Sequence, residues 1–479
     1  MPLQRYLGLS LLCVLATVFV PLRAADQRST TVTIAPVGGL PVLFADGIRL
    51  RWLVPGDVKA SSQLQEMLYD EVREDIGTGT RLTLTSRESF DGRQLVHRYE
   101  HVHGSAHAWQ LDLDLPPGVA VELLGEPGFV PESLPGFGAV YSKVSPVAIA
   151  GGDQQLLESA AGASIAQSPN TAAWFGIRNR FQAGLLRADV AVELRVDAAR
   201  ANLPRVIARP DGGGRLQLDL YAGPVESHSL AIVDPNLTGM LYAALWNWLR
   251  LLCFGMAWLL TSIVSLVGNI GLSIILLSLS VKLLMLPLTA IADRWQESVN
   301  RTTATLQPKI DAIKQQFKGE QAHKRILAAY REHQVSPLYP VKSAAAFLIQ
   351  IPIFIAAFDM LGQSTLLDST SFLWIDDLAK PDRALLLPWD LPFFGAHLNL
   401  LPFLMTAVTL LTSAIQADAA LTPGLLRKQR ARLYLMAVMF FLLFYTFPAG
   451  MVLYWTTNNV LHLSKIMIRG SRSADCQAD

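Results

Sequence analysis

Cysteine is scarce. The chain holds three in 479 residues, Cys13, Cys253 and Cys476, too scattered for a disulfide framework or for a zinc site built on paired thiolates. Charge is thin as well. Only 16% of residues are Asp, Glu, Lys or Arg against 51% hydrophobic, and mean hydropathy is +0.32. That balance excludes a large soluble enzyme and points to a membrane protein. The formal net charge is +1, so overall electrostatics select no class of partner. No internal repeat or low-complexity tract is evident. Phosphate-binding loops, nucleophile elbows and metalloprotease motifs are missing too, and with them the usual sequence signs of catalysis.

What the chain does have is long apolar runs, and one of them contains a cation. Residues 270–288 are apolar enough to cross a bilayer as a helix, since about 20 residues at about 1.5 Å rise span a hydrocarbon core about 30 Å thick. Lys282 sits inside this run, preceded by Ser278 and Ser280. A lysine at bilayer depth costs roughly 2.5–3.5 kcal/mol, so it normally faces water, a partner or a substrate. The plainer alternative is snorkelling, because Lys282 lies only about 7.5 Å along the helix from Pro287, the expected end of the span.

Taken in order, residues 1–25 carry Arg5, an apolar run over 7–20, then Pro21, Ala24 and Ala25. This is the layout of an export signal, either cleaved near Ala24 or kept as an anchor. Residues 26–232 then form an exported soluble domain. Strand-like stretches at 32–34, 81–85, 109–115, 190–196 and 216–221, separated by Gly, Pro and Asp turns, predict an all-β sandwich with a helix over 60–75. His97, His101 and His103 share strand parity, with His107 just beyond. With no acidic or cysteine ligand at diagnostic spacing, they read as a polar sheet face in preference to a metal site. Residues 237–267 are rich in Leu and Trp, and predict an interfacial helix before the Lys282 run.

Residues 290–342 change character, with nine Lys or Arg against five acidic residues. The positive-inside rule makes this segment cytoplasmic. Leu306, Ile310, Ile313 and Phe317 recur at helical spacing, and Ile326, Leu327 and Tyr330 resume after Gly319, which predicts a helical hairpin with a thin apolar seam. Its basic face, including Lys314, Lys318, Lys324 and Arg325, serves topology and solubility, or contacts anionic lipid or ribosomal RNA. Further apolar spans are expected at 343–361, 398–416, 434–447 and 450–468. The loop 362–397 holds two basic residues against five Asp and is read as exported.

The embedded polar residues fall at one depth. At about 1.5 Å per residue, Gln350 is about 10.5 Å from the start of its span at Ser343, and Asn458 and Asn459 are about 10.5 and 9 Å from Lys465. Ser413 and Gln416 close the same end of the span between. The opposite half is mostly apolar, apart from Asp359, which lies about 24 Å from Ser343 and too far off to pair with Lys282. A cation and several amides in one layer imply a wet cavity open to the cytoplasm that does not cross the membrane, because a channel needs polar groups through the full thickness.

These residues resemble the YidC/Oxa/Alb family of membrane protein insertases, in its Gram-negative form with a periplasmic domain. The matching motifs are Gly268-Asn269, Val281-Lys282 through Pro287-Leu288-Thr289, Leu306-Gln307-Pro308-Lys309, and Gln350-Ile351-Pro352-Ile353-Phe354. Trp374-Ile375 with Asp377-Leu378, Phe447-Pro448-Ala449-Gly450, Leu453-Tyr454-Trp455 and Asn458-Asn459 complete the set. Tyr221 with Gly223-Pro224 resembles the close of the periplasmic domain. The likeness is specific over residues 268–468.

The resemblance implies a multi-pass α-helical membrane protein of the bacterial inner membrane, with a five-helix insertase core over 268–468 and a periplasmic β-sandwich over 26–232. It implies no enzyme and no cofactor. It implies a hydrophilic inner-leaflet groove, here Lys282, Gln350, Ser413, Gln416, Tyr454, Asn458 and Asn459, that helps short polar tails of nascent membrane proteins across. The implied partners are those nascent chains, membrane lipids, the Sec translocon and the ribosome. A dedicated assembly chaperone for one envelope complex is the competing reading. Three features depart from the family pattern. Lys282 stands where arginine is usual, residues 336–340 lack the usual double glycine, and the tail over 469–479 is short, with Arg469 and Arg472 offset by Asp475 and Asp479.

Overall fold

The computed structural model describes residues 33–34, 37–42, 47–76, 80–150, 153–156, 164–167, 173–197, 203–210, 213–333, 335–336, 341–415 and 423–475. The expected export signal at 1–25, the groove residue Gln416, Cys13, Cys476 and most of the departing segment 336–340 lie outside them.

Strands occupy the N-terminal part because their sequences alternate. In Ala108–Leu115, Leu111, Leu113 and Leu115 point inward while Gln110, Asp112 and Asp114 point toward solvent, the period of two that a half-buried strand requires. Two large antiparallel sheets result, beside a short pairing of Thr33–Ile34 with Pro41–Val42. The larger has nine strands and runs from the edge strand Asp153–Leu156 through the long central strand Gly214–Pro224 to the edge strand Tyr69–Asp75. The smaller has five, with Ile48–Leu53 at one edge and Ser164–Gln167 at the other. Ile48, Leu50 and Trp52 of the smaller sheet share one buried cluster with Leu82, Leu84, Leu111 and Leu113 of the larger. This is sandwich packing.

Two local expectations are corrected here. The helix expected over 60–75 is Val58–Glu66, and Tyr69–Asp75 is a strand paired with Thr80–Ser86. Pairing along a whole edge, with Tyr69 buried, outweighs the helical preference of the charged run. The expected common histidine face also fails. His97 lies fully buried between the sheets, its Nε2 3.3 Å from the Tyr69 hydroxyl and its ring 5.1 Å from that of Trp52. His101 instead packs edge-on against Trp109, and His103 is exposed beyond the strand. Among the described residues no histidine, cysteine and carboxylate cluster suits a metal ion.

The helices are α1 (Val58–Glu66) and α2 (Ser227–Val233) beside the sandwich, then α3 (Asn247–Val267), α4 (Ile270–Leu284), α5 (Leu286–Gln316), α6 (Gly319–Glu332), α7 (Val341–Gln363), α8 (Leu400–Ile415), α9 (Pro423–Phe444) and α10 (Ala449–Asp475). The run expected as one helix over 270–288 breaks at Met285, where α4 and α5 meet at 61°. Pro287 causes the break, since it has no N–H for the carbonyl of Leu283. By length and composition α3 can cross a membrane, and the bent α4–α5 pair would make a second crossing. The segment Leu348–Gln363 of α7 and helix α8 are apolar but shorter. Length thus suits α3 to a full crossing, where the sequence favours an interfacial helix. The span expected over 434–447 is the second half of α9, whose first half carries Arg427, Lys428, Arg430 and Arg432.

The sandwich is packed onto the helices. One buried cluster runs from Trp174, Leu185 and Tyr221 through Leu237 and Met240 to Cys253, Ile274, Leu361 and Tyr454. Polar contacts reinforce it. Arg180 is buried and donates from Nε to the Gly362 carbonyl and from Nη1 to that of Ala379 at 2.6 Å. Its guanidinium lies 4.9 Å from the centre of the Tyr141 ring. The N–H of Gly138 donates to the Thr446 hydroxyl at 3.2 Å, and a Cβ at Gly138 would fall 2.2 Å from the Thr446 carbonyl oxygen, so only glycine allows this approach. Glu132 accepts from Arg383 at 2.6 Å and pairs with Lys380 at 3.3 Å. Asp359, the polar exception at this end of the helices, accepts from Gln363 at 3.0 Å, and Gln363 in turn accepts from Arg178 at 3.3 Å. A hairpin unforeseen from sequence, Leu385–Leu391 with Gly395–Leu398, sets Phe393 edge-on to Phe137 of the sandwich.

Candidate functional site

Lys282 lies on the last turn of α4, three residues before the break at Met285. The phase of α4 is set at its start, where the side chain of Asn269 caps the helix by accepting from the Leu272 N–H at 2.9 Å. Gly271 then lets the Phe372 ring approach so closely that a Cβ would overlap it at 2.1 Å. With α4 anchored there, Ser278 is buried and donates to the Tyr454 carbonyl of α10 at 3.3 Å. One turn on, the half-buried Lys282 donates from Nζ to Oδ1 of Asn458 at 3.1 Å.

The next rungs extend the seam in both directions. Asn459 donates from Nδ2 to the Thr409 hydroxyl of α8 at 3.0 Å. Two turns beyond Asn458, Lys465 pairs with Asp293 of α5 at 2.8 Å. The structure therefore brings together Lys282, Asn458 and Asn459 of the expected set. Ser413 is buried on α8, and Tyr454 is buried on α10. Neither hydroxyl has a hydrogen-bond partner among the described residues. Gln350 is half-buried on α7, with no direct bond to the Lys282–Asn458 pair. Two residues further on, Pro352 interrupts the α7 ladder and leaves the Leu348 carbonyl without its helical donor.

Toward the sandwich side the layer ends in aromatic rings. Phe354 packs 4.9 Å from Trp455, Phe358 5.2 Å from Phe444, and Phe440 stacks 5.7 Å from Phe444. Such a cluster presents packed apolar rings to the layer on that side. From the sequence this half reads only as apolar. Recurring phenylalanine four residues apart in α7 and α9 was the signal available. Thr409, Asp293 and Lys465 were missed as members of the site, because partners on separate helices leave no spacing to read.

At the other end, α5 and α6 form the basic hairpin. Leu306 and Ile310 of α5 and Ala322 and Ala329 of α6 are buried in the hairpin. Lys314 and Lys318 are exposed, Lys324 pairs with Glu320 at 2.9 Å, and Arg325 lies 3.8 Å over the Phe317 ring. Part of the expected basic face is therefore occupied within the hairpin.

The family described as 60Kd inner membrane protein matches residues 262–473, which contain every residue of this layer. A membrane protein insertase YidC of Janthinobacterium sp. (strain Marseille) is 30% identical over 270 residues, covering 56% of this chain and 45% of the relative. One from Chlamydia trachomatis is 34% identical over 274 residues, covering 53% and 33%. One from Ralstonia nicotianae is 28% identical over 417 residues, covering 82% and 69%. The chain thus spans less than half the length of the first two of these relatives. A solved structure described as an active YidC insertase crystal structure is 17% identical with a TM-score of 0.35, covering 87% of this chain and 82% of that one. At that score the likeness carries no weight.

Proposed function

We propose that this chain, which over residues 262–473 belongs to the YidC-type insertase family, inserts nascent inner-membrane proteins by receiving their short polar tails in the layer around Lys282. The observation that carries this reading is the bond of Lys282 to Asn458, with packed aromatic rings on one side and the basic hairpin following the other. A cation held by a neutral amide keeps its charge available, whereas a buried carboxylate would have consumed it. The groove lets a polar tail shed water against fixed polar groups in the inner leaflet, and this lowers its barrier to crossing. No covalent chemistry is needed for that task.

In this reading α5 and α6 face the cytoplasm, where the exposed Lys314 and Lys318 meet anionic lipid or ribosomal RNA. The β-sandwich sits in the periplasm, and the Sec translocon works alongside for larger clients. Photo-crosslinking to a stalled nascent single-span protein tests the groove. A crosslinker at Gln350 should capture the polar tail, and one at the buried Phe358 should not. Capture from Phe358 and none from Gln350 would overturn the reading.

A further inference from the structure

Lys282 is not alone on the seam. Asn458 and Lys465 are seven residues apart on α10, so they lie on one face about 10.5 Å apart along the axis. Each bridges to the bent α4–α5 pair, Asn458 to Lys282 at 3.1 Å and Lys465 to Asp293 at 2.8 Å. The inner bridge is ammonium to amide. The outer one is ammonium to carboxylate, and its side chains are 25% and 42% exposed. The two bridges therefore differ in what a carboxylate arriving from water would find.

At the inner bridge an arriving carboxylate replaces a neutral oxygen, and the cation gains a full ionic partner. At the outer bridge it replaces a carboxylate already in place. Lys465 stays paired throughout such an exchange, and the displaced Asp293 turns to water, which its exposure allows. No charge is left bare at any stage, so the exchange avoids the penalty of an unpaired charge.

We propose that Lys465 is a second, outer cation of the groove, shielded by Asp293, and that it takes a carboxylate of the client tail when Asp293 is displaced. This rests on the groove reading above and names its substrate class. The two anchoring positions on α10, Asn458 and Lys465, lie about 10.5 Å apart along the axis, which matches two acidic residues about three positions apart in an extended tail, at about 3.3 Å per residue. The favoured clients carry a pair of Asp or Glu at that spacing.

The test uses the full chain in cells depleted of the wild-type protein, with protease protection of single-span clients whose tails differ only in Asp number and spacing. The readout is the insertion of a two-Asp client, spaced by three, relative to a neutral-tail client. Lys465→Gln should lower this ratio about fivefold, the scale of one partly exposed ion pair, and should lower it less for a one-Asp client. The charge swap Asp293→Lys with Lys465→Asp keeps the bridge and removes the outer cation from α10. It should reproduce the loss or move the preferred spacing. A swapped protein with the wild-type ratio and spacing would make the pair a structural tie only and overturn the proposal. An undiminished ratio in Lys465→Gln would do the same. If neutral tails failed to depend on the wild-type protein at all, the groove reading itself would fall, separately from this one.

Discussion

Nζ of Lys282 lies 3.1 Å from Oδ1 of Asn458, across the contact between α4 and α10. The amide fixes where the ammonium points without neutralising it. An ammonium and a carboxylate about 6 Å apart at an effective dielectric of about 20 attract by roughly 3 kcal/mol. Placing one acidic side chain at mid-membrane depth costs about 2.5–3.5 kcal/mol. Lys282 alone therefore offsets about one acidic residue. Lys282→Ala should impair clients with acidic tails and spare neutral ones, Lys282→Arg should be tolerated, and Lys282→Glu should be worst. Protease protection of tail-tagged clients reads this directly, and equal loss for acidic and neutral tails would mean that Lys282 only shapes or hydrates the groove.

The hairpin offers a separate test. Reversing Lys314, Lys318 and Lys324 to Glu should weaken binding to ribosomes or anionic liposomes while leaving helicity intact, because these side chains are exposed and the seam residues are untouched. Losing Lys324 also breaks its pair with Glu320, at a cost of a few tenths of a kcal/mol. Binding unchanged by the triple reversal would leave the face with solubility as its role.

Arg180 should hold the sandwich to the helices. Arg180→Met retains the packing over Tyr141 and Phe181 but leaves the carbonyls of Gly362 and Ala379 without this donor. A hydrogen bond from a charged group contributes about 1.5–3 kcal/mol. Hydrogen exchange should therefore rise tenfold or more around residues 136–142 and 362–379, with the interior strand Ala108–Leu115 still protected. A uniform rise across the sandwich would show loss of folding instead of undocking.

His97 makes the sandwich sensitive to acid. Burial pushes its imidazole from 6.5 down to about 3. Between those values the unfolded chain binds a proton that the folded one does not. Stability is then lost as pH falls from about 6.5 toward 3, by up to about 1.4 kcal/mol per pH unit. The unfolding midpoint of the sandwich should drop between about pH 7.5 and pH 5, and His97→Leu should flatten that slope whatever it does to the midpoint at neutral pH. An equal slope in both proteins would place the acid sensitivity elsewhere.

The sequence by itself determined the class of protein, the β and helical halves, and the positions of Lys282, Gln350, Asn458 and Asn459 along their helices. Composition, period and rise per residue are local quantities that a linear chain carries in full. Tertiary structure alone decided which of these groups meet. Lys282 found Asn458, Lys465 found Asp293, and His97 left the expected polar face for the space between the sheets. The break at Met285 and the seating of Arg180 belong to the same category, although Pro287 announced the first. A bend of 61° and contacts between residues more than a hundred positions apart depend on how the helices pack. Spacing along one chain holds no record of that.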